Sequence, residues 1–164
     1  MVELNLRNNT MNYCGLNLFD TANGEGVRVS LFVSGCRLRC KGCFNAEARD
    51  FNYGKPYTEE TLFAIENALK NPYIKGLSVL GGDPMEPEQE GPLLVLFEKI
   101  KTLYPDKTIW VWTGRVHDQV KNSPLMQYID VLVDGPFVES KKDPKLLWRG
   151  SSNQKIIYLK QENK

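Results

Sequence analysis

Apolar positions along the chain follow two alternating rhythms. Val27 to Ser34 (VRVSLFVS) is β-branched and apolar and stops at Gly35, the pattern of a buried strand. Gly76 to Leu80 (GLSVL) is a shorter strand running into Gly81-Gly82, and Thr108 to Trp112 (TIWVW) another, ending at Thr113-Gly114. Asp130 to Val133 reads as a strand that stops at Asp134-Gly135-Pro136, and Lys155 to Lys160 is a last strand candidate. Helical spacing lies between them. From Thr58 to Lys70, Leu62, Ile65 and Leu69 form one stripe, Thr58 can cap, and Glu59 and Glu60 suit the positive end of the helix. A second helix is predicted from near Pro92 to about Tyr104, with Leu93, Leu96, Phe97 and Ile100 as its stripe. A weaker one lies between His117 and Tyr128, interrupted by Pro124.

Strands separated by helices predict right-handed crossovers and a mainly parallel sheet, an α/β fold. Sites in such folds collect beyond the carboxyl ends of the strands. Three of those ends carry distinctive residues: the cysteine loop after the first strand, Gly81-Gly82-Asp83-Pro84 after the second and Thr113-Gly114 after the third. With 164 residues the chain is too short for eight strand–helix units, so an incomplete βα barrel is expected.

Composition narrows the class. The chain is 41% hydrophobic and 25% charged, ordinary for a soluble globular domain. A net charge of +1 provides no basic surface for nucleic acid or an anionic membrane. No apolar run is long enough to span a bilayer, and the N-terminus lacks a secretory pattern. The expected location is the cytoplasm, where disulfides are disfavoured. Of the four cysteines, Cys36, Cys40 and Cys43 fall within eight residues, so metal ligation is the first reading.

Their spacing is C-x3-C-x2-C. Thiolates hold iron–sulfur clusters, and a cubane needs four ligands for saturation. Three close cysteines can therefore leave one iron open to a small chelating molecule. Arg37, Arg39 and Lys41 add positive charge that should lower the thiol pKa values. The alternative is a structural zinc site completed by Cys14 or His117, but no second C-x2-C or H-x3-H pair exists. Cys14 alone reads as a small buried hydrophobe. No serine or cysteine nucleophile pairs recognisably with His117, the single histidine, which argues against a hydrolytic triad. Trp110 and Trp112 read as core.

C-x3-C-x2-C after a first strand resembles the signature of radical S-adenosylmethionine (SAM) enzymes. The likeness extends to Asn23-Gly24-Glu25-Gly26-Val27-Arg28, LFVSGC (31–36), GCFN (42–45), LSVLGGDP (77–84), IWVWTG (109–114), DVLVDGPF (130–137) and WRGSSNQ (148–154). Together these segments resemble the activating enzymes of anaerobic (class III) ribonucleotide reductases. The resemblance covers residues 11–164 as one radical SAM domain and leaves 1–10 as an N-terminal extension.

The resemblance implies a partial βα barrel of radical SAM type. It also implies a [4Fe–4S] cluster on Cys36, Cys40 and Cys43, with SAM as cosubstrate. Gly42, Cys43 and Phe44 would lie against SAM, Gly82 would contact its methionyl part, and Gly81 and Asp83 would complete the SAM-binding set. The implied activity is reductive cleavage of SAM to a 5′-deoxyadenosyl radical, which takes a hydrogen from a glycine of the reductase. The implied partners are that reductase and a reduced donor such as flavodoxin. Rival readings are an activase of another glycyl-radical enzyme, a radical SAM enzyme for a small molecule, an iron–sulfur electron carrier, or a zinc-binding module. Trp148-Arg149-Gly150 reads either as a docked segment or as a partner surface.

Overall fold

Val27–Val33 (β2) pairs in parallel with Ile74–Gly81 (β4), β4 with Thr108–Trp112 (β5), and β5 with Val131–Asp134 (β6). These are the four central strands expected from the apolar runs. Asn12–Asp20 (β1) and Lys55–Pro56 (β3) extend one side antiparallel, and Lys155–Tyr158 (β7) closes the other, also antiparallel. The result is a seven-stranded mixed sheet in the order β3-β1-β2-β4-β5-β6-β7. The computed structural model describes residues 11–43 and 46–160. The expectations for the 1–10 extension and for Phe44 lie outside the described residues.

Alternation along the central strands separates two faces. Val29, Leu31, Val33, Leu77, Val79, Ile109, Val111 and Leu132 share one core with Glu59–Ala68 (α1) and Pro87–Leu103 (α2). The helices present the predicted stripes, Leu62 and Ile65, with Leu69 just beyond α1, and then Leu93, Leu96, Phe97 and Ile100. A strand in the middle of such a sheet must bury both faces, so the polar positions Arg28, Ser30 and Ser78 are buried as well. Trp110, Val131 and Val133 form a second cluster on the opposite face, with Trp112, Trp148 and Ile156 packed against it.

Local chemistry accounts for the differences from the predicted elements. α2 starts at Pro87 rather than near Pro92, because Pro87 takes the first-turn position; Pro92 lies within the helix. The region from His117 to Tyr128 splits into one helical turn, His117–Val120 (α3), and a 3-10 turn, Pro124–Gln127. Pro124 cannot supply the N–H that a continuous helix needs. β1 was not predicted: its half-exposed sequence NYCGLNLFD, with Gly15 inside, carries no apolar run. It forms because β2 offers it an edge, through a register shift between Tyr13 and Gly15.

Arg28 is buried on the face opposite the helices, at the start of β2. Its guanidinium donates to Ser78 Oγ at 2.8 Å and to the carbonyls of Glu25, Leu77 and Thr108 at 3.1, 3.1 and 2.7 Å. It also lies 5.5 Å from the Trp110 ring centre. Burial pushes its pKa down to about 10, against the charges of Asp130 and Glu25. Carbonyls from β4 and β5 thus converge on one side chain of β2. Gly76 makes room for this, since a Cβ there would collide with the Thr108 carbonyl oxygen and come within 2.7 Å of the Arg28 guanidinium. Gly76→Ala should therefore destabilise the fold by about 2 kcal/mol, the scale of overpacking against fixed backbone, read as a lower urea midpoint. An unchanged midpoint would show that β4 and β5 can separate freely.

Candidate metal centre

Strand β2 ends at the cysteine loop, whose shape is imposed by backbone bonds. Gly35 N–H donates to the Ala48 carbonyl at 2.6 Å and Cys36 N–H to that of Arg49 at 3.0 Å, tying the loop to the 3-10 turn Ala46–Arg49. Arg39 takes a left-handed conformation (φ 52°) just before Cys40. Cys43 N–H then donates to the Cys40 carbonyl at 3.2 Å, closing a tight turn over Lys41-Gly42. Gly42 has φ 77°, the region in which glycine is unstrained.

The carboxyl end of β4 lies directly beside this loop. Gly82 N–H donates to the Val33 carbonyl at 2.7 Å and Asp83 N–H to that of Gly35 at 2.8 Å. A Cβ on Gly82 would meet Gly35 O at 2.6 Å, Gly35 N at 2.7 Å and Ala48 O at 2.8 Å. The bare backbone at Gly82 is thus required by packing within the protein, whereas the sequence suggested room for a ligand there.

Asp83 is fully buried and its carboxylate is consumed. Oδ1 accepts from Met85 N–H at 2.9 Å and Thr113 Oγ1 at 2.8 Å, and Oδ2 from Gly114 N–H at 3.0 Å. Arg115 Nη1 stands 3.0 Å from Oδ2 as an ion pair without hydrogen-bond alignment. Burial pushes the Asp83 carboxyl above its ordinary value, against these donors. Glu86, also buried, accepts from Arg37 N–H at 2.7 Å, Arg37 Nη1 at 2.6 Å and Arg115 Nη2 at 3.0 Å. Arg37 continues to Glu88 at the surface, whose carboxyl it holds down at about 2.

That network reverses one expectation. Arg37, Arg39 and Lys41 were expected to lower the thiol pKa values; at Cys36 the Arg37 part fails, because its charge is spent on Glu86 and Glu88. Burial pushes the Cys36 thiol up, with Asp83 and Glu86 adding to it, against the Leu38 backbone bond and the Arg115 charge.

Cys36, Cys40 and Cys43, all reduced, line one cavity of about 380 Å³ together with Gly81, Gly82 and Asp83. Neither Cys14 nor His117 is among its walls. The Cys14 thiol points to the Phe32 carbonyl at 3.4 Å, and the backbone N–H of His117 donates to Asp134 Oδ2 at 2.7 Å. Among the described residues no three His, Cys, Asp or Glu side chains meet closely enough for a single metal ion. Zinc needs four donors about 2.0–2.3 Å from one point. A cubane instead takes each thiolate on a separate iron, so its donors stand around a space. Three thiols around a cavity fit that second requirement.

The far wall comes from Phe137, Trp148, Arg149, Gly150 and Gln154. Sequence reasoning found the segment but assigned it no place in the site, because its position depends on tertiary docking. Trp148 packs edge-on to Trp110 at 4.9 Å, and its carbonyl accepts from Trp112 Nε1 at 2.8 Å. The motif is therefore a docked segment, and the tryptophan signal lay in the alternation of β5. Trp112 belongs to the cavity wall as well as to the core.

Fold and thiol set together describe an iron–sulfur domain, and a family described as a 4Fe-4S single cluster domain matches residues 22–157. The chain is also 47% identical over 150 residues to the anaerobic ribonucleoside-triphosphate reductase-activating protein of Vibrio cholerae serotype O1, covering 89% of this chain and 97% of that one. Proteins of the same name from Pasteurella multocida and Escherichia coli are 45% identical over 154 residues and 44% over 155. Those matches cover 90% and 92% of this chain, and 97% and 100% of the relatives. The chain belongs to the family of anaerobic ribonucleoside-triphosphate reductase-activating proteins.

The Glu86 network yields a stability contrast. Glu86→Ala strips a buried carboxylate from two arginines and one backbone N–H, and should cost roughly 3 kcal/mol in chemical denaturation. Glu88→Ala, at the half-exposed end of the same chain of charges, should cost less than about 1 kcal/mol. Equal losses would mean that the buried link does not anchor the loop.

Proposed function

We propose that this protein is a radical SAM activase of an anaerobic ribonucleoside-triphosphate reductase. The observation that carries the reading is the convergence of Cys36, Cys40 and Cys43 on one cavity, beside Gly81-Gly82-Asp83, with no fourth cysteine in its walls. Family membership supports it, since the relatives carry the reductase-activating name. On this reading, residues 11–164 act as one domain, a partial βα barrel with its site at the carboxyl ends of the parallel strands. A [4Fe–4S] cluster bound there would supply the electron that splits the sulfur–carbon bond of SAM, giving methionine and a 5′-deoxyadenosyl radical. A reduced donor such as flavodoxin would provide that electron, and a glycine of the reductase would give up the hydrogen atom.

The chain's own residues have defined tasks. Cys36, Cys40 and Cys43 would hold the cluster, and with three protein thiolates one iron would remain open to SAM. By the family resemblance, Gly42, Cys43 and Phe44 would contact SAM, together with Gly81, Gly82 and Asp83. Asp83 works through the Thr113 hydroxyl and the Gly114 backbone that it orients, because its oxygens are already engaged. Phe32, Leu80, Trp112, Phe137 and Trp148 give the cavity apolar walls that limit water around a reactive radical. No helix among the described residues is long and apolar enough to cross a membrane, which accords with a cytoplasmic location. A small-molecule substrate is less favoured, because the relatives are named for a protein target.

Anaerobically reconstituted protein should carry about four irons per chain, as a cubane requires. Ser replacement of Cys36, Cys40 or Cys43 should abolish 5′-deoxyadenosine formation, while Cys14→Ser should leave it largely intact. Stoichiometric zinc in active protein, or equal dependence on Cys14, would overturn the cluster assignment. Reduced protein mixed with SAM and the reductase without oxygen should give a glycyl doublet in electron paramagnetic resonance. Turnover of a small molecule with no such signal would remove the reductase from the reading and leave the cluster chemistry standing.

A further inference from the structure

The Trp148–Gln154 segment forms part of the cavity wall, yet nothing in the proposed chemistry uses its one charged side chain. Among the described residues lining the cavity, Arg149 is the single cation and Asp83 the single anion. Asp83 is neutralised internally, by hydrogen bonds from Met85, Thr113 and Gly114 and by the ion pair with Arg115. Arg115 and Arg37 are committed to Glu86, Asp83 and Glu88. Among the described residues Arg149 has no carboxylate partner. Its one hydrogen bond among the described residues runs from Nη1 to the Gln154 carbonyl at 2.8 Å, and its Nε is buried without an acceptor. That Nε is enclosed by the protein, but the half-buried side chain forms part of the cavity wall, where a guanidinium without a carboxylate partner can receive an anion.

The backbone that carries Arg149 is held rigidly, and at a cost. Trp148 has φ 61°, a left-handed conformation that a bulky side chain rarely adopts. The Trp112 hydrogen bond and the edge contact with Trp110 hold it there. On the other side, Gln154 Oε1 accepts from Gly150 and Ser151 N–H at 2.9 and 3.1 Å, while its Nε2 donates to the Gly135 carbonyl at 2.9 Å. Strained backbone kept in place by surrounding bonds is a mark of a functional position.

The geometry points to Arg149 as the residue that recognises the α-carboxylate of SAM. This rests on the reading that the cavity binds SAM. The ligand carries a sulfonium, an ammonium and a carboxylate, and of these only the carboxylate attracts a guanidinium. A carboxylate has two oxygens, so one can face the cysteine loop while the other accepts from Arg149, as the fork geometry of arginine favours. Arg149 is then a binding residue that selects the amino-acid end of the ligand and sets its direction in the cavity.

The test is equilibrium binding of SAM and of decarboxylated SAM to anaerobically reconstituted protein. In Arg149→Met, the SAM Kd should rise at least about tenfold, the scale of one hydrogen bond to a charged group. The Kd for decarboxylated SAM should change less than about twofold, since that ligand lacks the group in question. Arg149→Lys keeps the charge without the fork and should fall between wild type and Arg149→Met for SAM alone. If Arg149→Met does not retain its cluster, Arg149→Lys serves the same comparison. Equal weakening of both ligands, or none for SAM, would overturn the inference while wild-type binding of SAM keeps the activase reading. Failure of the wild type to bind SAM would overturn both.

Discussion

Two backbones meet at the carboxyl ends of β2 and β4 with no space for a side chain between them. The Gly82 position is bounded by Gly35 and by the Ala48 carbonyl, and Gly82 and Asp83 donate back into the β2 end. Because this contact is made by main-chain atoms, its spacing cannot relax by rotamer change. It sets Cys36, the next residue after Gly35, beside the Gly81–Asp83 turn, and the rest of the cavity is built outward from that junction.

Around the junction, buried charge orders the neighbouring loops. Asp83 gathers the Thr113 hydroxyl, the Gly114 backbone and Arg115, and Glu86 gathers Arg115 and the Arg37 backbone. Buried carboxylates are tolerable only when each oxygen is paired. These two satisfy that condition with donors drawn from the cysteine loop, the β4 turn and the β5 turn, so three separate segments are bound into one rim. The consequence reaches Cys36: the arginine beside it in sequence is committed to Glu86 and Glu88, and burial with the nearby carboxylates pushes its thiol up.

The two faces of the sheet divide the labour of stability and chemistry. One face buries aliphatic side chains under α1 and α2. The other carries polar and aromatic groups, with Arg28 bridging strand starts and Trp110 at the centre of an aromatic cluster. Trp148 docks on that cluster and so brings Arg149, Gly150 and Gln154 to the cavity. A surface left without helices can receive a later segment of the chain, and here it does.

The four parallel strands, the apolar stripes of both main helices and the cysteine spacing were legible in the amino-acid order, because each is a local periodicity or a local chemical pattern. The placement of candidate chemistry at the carboxyl ends of β2, β4 and β5 followed from those strands. The antiparallel β1 and β3 were not legible, since a half-exposed strand forms only when a neighbour offers its edge. Three further facts depend on contacts between residues far apart in the chain. Gly82 is bare because Gly35 and Ala48 press against it. Arg37 is neutralised because Glu86 and Glu88 lie across the loop. Arg149 reaches the cavity because Trp148 packs on Trp110. Local sequence determined which chemical groups the protein possesses and on which elements they ride; only long-range packing, in which distant segments share the same few ångströms, decided which of those groups remained available.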